Sequence, residues 1–67
     1  MRIDSMRIRI IMADKGVTQS FVARNSNLSR QSINKIIRRG TCEPKTAGKL
    51  AAGLGVPVTE ILAREGV

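Results

Sequence analysis

Sixty-seven residues suffice for one small domain with a modest core, near the lower limit for a chain that folds without staples. A single cysteine, Cys42, and the absence of histidine exclude an internal disulfide and a zinc cluster, and make a reducing, cytoplasmic setting the expectation. Twelve basic residues against five acidic ones give a net charge of +7, which points to a polyanionic partner, and no apolar run is long enough for a signal peptide or a membrane span.

Met1 to Ser5 reads as a frayed leader, with Ser5 as the cap of a first helix over about Met6 to Lys15. Ile8, Ile11 and Met12 form the buried stripe of that helix and Gly16 its stop. Ile3 and Ile10 fall off the stripe; they either cover the edge of the core or contact a partner. Thr18 begins a second, short helix, because its hydroxyl can accept a hydrogen bond from a free N–H in the first turn. Ser29 opens a third run, Ser29 to Arg38, in which Ile33, Ile36 and Ile37 follow the i, i+3, i+4 spacing of one buried face. Only Ser26, Asn27 and Leu28 separate the second and third helices. So short a connection forces a sharp crossing, as in a helix-turn-helix unit. The turn needs one residue at positive φ, and Asn27 stands where it is needed.

Glu43-Pro44 marks the loop before a fourth helix, since the residue before proline is biased away from helical angles. This helix, about Lys45 to Leu54, buries Ala47, Leu50, Ala51 and Leu54. Gly48 and Gly53 each weaken it by about 1 kcal/mol against alanine, so packing and not propensity must hold it. Gly55 ends it, Val56-Pro57-Val58 turns the chain, and Thr59 to Arg64 forms a fifth helix around Ile61 and Leu62. Repeats, low-complexity tracts and strand-like alternation are all absent from the sequence. The expectation is a single all-α domain over 1–67, built of five short helices.

Gln19, Ala23, Asn27, Ile33 and Ile36 match, in type and spacing, the five diagnostic positions of a known unit. Through them the chain resembles the phage Cro and repressor type, or lambda-repressor-like (XRE-type), helix-turn-helix family of bacterial transcriptional regulators. Gly16-Val17-Thr18-Gln19 before the unit, Pro44 after it and the segment from Leu50 to Leu62 extend the resemblance over about Arg7 to Leu62. Ala23 has a physical reason: it lies where the two helices touch, and a larger side chain would push them apart. Phe21 departs from the family, which has a polar residue there, and reads either as a cover for the core beside helix one, the favoured reading, or as an exposed contact residue. The family's glycine falls at Arg39, whereas this chain has Gly40, so helix three is expected to run one residue longer and to end on a left-handed Gly40. Some members join helix one to the end of helix three by a partly buried arginine and glutamate pair. Met12 and Ile37 stand at the matching places and are expected to touch.

The resemblance implies that the start of the third helix enters the major groove of double-stranded DNA. It places base contacts at Ser29, Arg30, Gln31, Asn34 and Lys35, and arginine and glutamine suit guanine and adenine edges. Gln19 is a phosphate contact in the family. Arg38 on the exposed face of helix three, Arg39 and Thr41 in the following loop, and Lys45 at the start of helix four flank the groove and complete the phosphate set. Charge agrees with this placement: from Lys15 to Cys42 the ionisable side chains of acids are absent, while Lys15, Arg24, Arg30, Lys35, Arg38 and Arg39 are basic. Arg24 and Lys49 serve equally well as plain surface charges.

An enzyme reading fails on inventory, because histidine, tyrosine and a Gly-rich phosphate loop are missing and no acidic pair shares a plausible pocket. No cofactor, metal or small-molecule ligand is expected. The expected function is a sequence-specific DNA-binding regulator, most naturally a repressor acting as a homodimer on a palindromic operator. Val56, Val58, Ile61 and Leu62 either supply the dimer contact or are consumed by the core. The alternative is a protein-interaction module, such as an antitoxin or assembly subunit, that uses the same unit as a scaffold.

Overall fold

The structure is a computed structural model and describes residues 1–63. Four α-helices follow one another: α1 (Ser5–Lys15), α2 (Gln19–Ser26), α3 (Arg30–Arg39) and α4 (Pro44–Leu54), then a single 3-10 turn, Val58–Ile61. Three of the helices begin on a side-chain cap. Asp4 accepts from the amide of Arg7, Thr18 from that of Phe21 and Ser29 from that of Ser32. α4 starts without one, on Pro44, whose missing N–H removes one of the donors a cap would have to satisfy.

Between α2 and α3 the chain turns on Asn27, at φ 61°, the non-glycine residue with positive φ among those described. Gly40, at φ 72°, ends α3 in the left-handed conformation the sequence implied and returns its amide to the carbonyl of Ile36. The core is assembled from Ile8 of α1, Val22 and Ala23 of α2, Ile33, Ile36 and Ile37 of α3, Ala47, Leu50, Ala51 and Leu54 of α4, and Ile61 of the final turn. Ile11, Met12, Val17, Leu28, Val56 and Val58 pack around it, partly buried. α2 lies closest to α4. Gly53 makes this possible, since a Cβ there would sit 2.6 Å from Ser26 Cβ and 2.9 Å from the carbonyl oxygen of Val22. The glycine expected only to weaken α4 therefore also allows the approach; Gly48, exposed with open space around it, does not.

Several expectations need correction. Met1 to Ser5 is not frayed. Ile3 donates its amide to the carbonyl of Gly40 (2.9 Å), Asp4 to that of Ile61 (2.8 Å), and the carbonyls of Met1 and Arg2 accept from Cys42 and Ala63. Isolated antiparallel bridges join Arg2 to Thr41 and Ile3 to Leu62, so the first residues form a strap between the loop after α3 and the end of the described chain. Ile3 is buried as part of the core, which settles one of its two readings. Ser5 is not the cap of α1 but its first residue; Asp4 takes the capping place, and the Ser5 hydroxyl turns instead to the carbonyl of Ile37. Phe21 does not cover the core: it is 48 % exposed and borders a shallow depression with Lys15, Val17 and Leu54, so the exposed reading holds. The fifth helix is one 3-10 turn, because Leu62 leaves helical angles at ψ 141° to bridge Ile3; Arg64, its expected last residue, lies outside the described residues.

Candidate nucleic-acid interface

α3 has two unlike faces. Ile33, Ile36 and Ile37 point into the core, while Arg30, Gln31, Asn34, Lys35, Arg38 and Arg39 are exposed. The apolar side fixes the roll of the helix, and that roll decides which side chains a groove would meet.

At the start of the exposed face, Gln19 shares a shallow depression with Arg30, Gln31 and Asn34. Gln19 is half-buried at the first position of α2, so the crossing set by Asn27 brings the start of α2 against the start of α3. Lys35 and Arg38 continue the same face and line a second depression with Gln31, Ser32 and Asn34. Arg39 and Thr41 fall in a third, between α3 and the loop before α4, where Lys35, Ser32 and Thr46 also contribute. Lys45 is exposed in the first turn of α4 but does not line that third depression. Nine of the ten expected contacts are thus arranged along one continuous surface. The acidic side chain at its edge is Glu43.

Ser29 behaves differently from its neighbours. Its hydroxyl accepts from the amide of Ser32 (3.0 Å) and donates to the Ser32 hydroxyl (2.9 Å), so much of its bonding capacity is used in starting α3. Ser32 and Thr46 were not among the expected residues, yet both are half-buried and line the depression that holds Arg39 and Thr41. The spacing of Ser32, three residues after a capping serine, was the available signal for its orientation; nothing local marked Thr46.

Chemically, the surface offers guanidinium, ammonium, amide and hydroxyl donors along a ten-residue helix, and an α-helix with its side chains, about 10 to 12 Å across, fits a B-form major groove about 12 Å wide. The first turns of α2 and α3 carry partial positive charge, which favours nearby phosphate. Cys42 lies half-buried beside this surface; burial pushes its thiol above the ordinary range, the nearby N-terminal ammonium lowers it and Glu43 raises it. Among the described residues no cluster of His, Cys, Asp or Glu could hold a metal, and no helix is long and apolar enough to cross a membrane.

Two short capped helices crossing at a left-handed asparagine, with a polar and basic second helix facing outward, define a helix-turn-helix protein of the DNA-binding class. The helix-turn-helix family model matches residues 8–61, and the chain belongs to that family, of the Cro/C1, XRE-like type. Membership makes double-stranded DNA the partner and transcription regulation the class of task. No curated protein and no solved structure matches the chain significantly.

Proposed function

We propose that this chain is a sequence-specific repressor that binds a palindromic operator as a homodimer, with α3 as the recognition helix in the major groove. The observation that carries the reading is the shared surface of Gln19, Arg30, Gln31 and Asn34, where the start of α2 and the base-reading end of α3 meet. Arg30, Gln31, Asn34 and Lys35 read base edges, and Ser29 adds what its capping role leaves free. Gln19, Arg38, Arg39, Thr41 and Lys45 hold the flanking phosphates. No catalytic step, cofactor or small-molecule ligand is assigned, and a reducing, cytoplasmic setting fits the single thiol.

The dimer contact does not rest on Ile61, which is wholly buried; Val56, Val58 and Leu62, half-buried, remain for it. A second reading draws support from the exposed apolar side chains Met6, Ile10 and Phe21, which suit a protein partner of the kind an antitoxin or assembly subunit has. Selection of bound sequences from a random duplex pool separates the two. A repressor enriches one motif with two related halves about one helical turn, 34 to 36 Å, apart; a scaffold enriches none.

A further inference from the structure

We propose that Ser5 is a positioning residue for DNA binding: through the carbonyl of Ile37 it fixes the far end of the recognition helix, and with it the phosphate-contacting loop. The inference rests on the DNA-binding reading above, and the residues that do the holding, 1–5, precede the part of the chain matched by the family, 8–61.

The last four carbonyls of a helix have no partner within it. In α3, the carbonyl of Ile36 is answered by the amide of Gly40, and that of Ile37 by the Ser5 hydroxyl at 2.6 Å, across 32 positions of sequence. Two further bonds follow along the same path. Gly40 offers its carbonyl to the amide of Ile3 at 2.9 Å, and Cys42 donates its amide to the carbonyl of Met1 at 3.0 Å. Positions 37, 40 and 42 are therefore each held by residues 1–5, and between them lie Arg38, Arg39 and Thr41, three of the five proposed phosphate contacts. The strap is anchored in turn to the last described residues, by Asp4 to Ile61 and Ala63 to Arg2.

The base-reading end of α3 is held by other means: the Ser29 cap, the Asn27 turn and the neighbouring start of α2. The division separates two effects. Loss of the Ser5 hydroxyl leaves base reading intact and loosens Arg38, Arg39 and Thr41, so affinity falls alike for all sequences while the preferred sequence is unchanged.

The test compares Ser5→Ala and Ser5→Thr in the whole chain, at a temperature where both are folded. In the free protein, amide hydrogen exchange at Gly40 and Cys42 should quicken about tenfold in Ser5→Ala, with Leu50 unchanged, and return toward wild type in Ser5→Thr. On duplexes from the selection above, Ser5→Ala should bind about five- to tenfold more weakly at every sequence, with a shallower dependence on salt, because fewer counterions are released. A purely structural role would lower the melting temperature and leave the salt slope alone. Wild-type exchange at Gly40 and Cys42, or faster exchange with wild-type affinity and salt slope, overturns the proposal. If the wild-type chain itself prefers no sequence, the functional reading falls and the phosphate role with it. That failure is distinguishable, because the exchange measurement contains no DNA.

Discussion

Gly53 of α4 meets Ser26 of α2 almost backbone to backbone: a Cβ at Gly53 would lie 2.6 Å from the Ser26 Cβ and 2.9 Å from its amide nitrogen. Neither neighbour is the flexible tip of a long side chain, so the helices would have to separate. α2 is the helix that sets Gln19 against the start of α3, and a shift there reaches the proposed site. Gly53→Ala should cost about 1 to 3 kcal/mol in urea unfolding, as overpacking does. Gly48→Ala, in open space on the same helix, should instead stabilise by about 0.5 to 1 kcal/mol. Equal effects at the two glycines would remove the case for a close α2 to α4 approach.

Local rules made much of this legible in the sequence. Thr18, Ser29, Asn27 and Gly40 act within a few residues of themselves, and the stripe of Ile33, Ile36 and Ile37 reports the buried face by spacing alone. What escaped depends on distant partners. Gly53 looks like any weak helix residue until α2 is placed beside it. Met1 to Asp4 carries no strand pattern, because its hydrogen bonds come from residues 40–42 and 61–63. Ser5 and Asp4 are both able caps; the choice fell to Asp4 because the Ser5 hydroxyl has a partner in α3. Ser32 and Thr46 come to line the depression beside Arg39 and Thr41 only because the loop before α4 lies against the end of α3.

Ile37 is buried at the end of α3, and Met12 packs partly buried against the same core. Ile37→Glu would place a charge there without a partner and should destabilise by about 3 kcal/mol or more. Adding Met12→Arg should recover a large part of that loss by forming a pair, and a double-mutant cycle gives the coupling. A double variant no more stable than Ile37→Glu alone would mean that the two side chains are not neighbours.

Cys42 supplies a pH dependence. Burial raises its pKa, so the folded chain holds the thiol proton more tightly than the unfolded chain does. That contribution to stability is complete below the unfolded thiol's value and is lost as pH rises through the higher folded one. Wild type should therefore lose more stability than Cys42→Ala between about pH 8 and pH 10, a range that brackets the ordinary thiol value. Parallel stability curves for the two chains across that range would contradict the burial argument.

The two classes of proposed DNA contact should separate under substitution. Arg30→Ala and Gln31→Ala should each lose about 1 to 3 kcal/mol of discrimination at defined base pairs. Lys45→Ala should weaken binding to all sequences alike and lower the salt slope by about one unit. Competition binding with single-base-substituted duplexes shows the difference; an unchanged preference at every position in Gln31→Ala would mean that α3 meets DNA by another face.

The most direct measurement is the affinity of the wild-type chain for its selected duplex against a scrambled duplex of the same composition, at one physiological salt concentration. A sequence-reading α3 predicts a ratio of about 10³ or more. Equal affinities, falling with salt at the same slope, would show a basic surface that holds any polyanion, and would contradict the account.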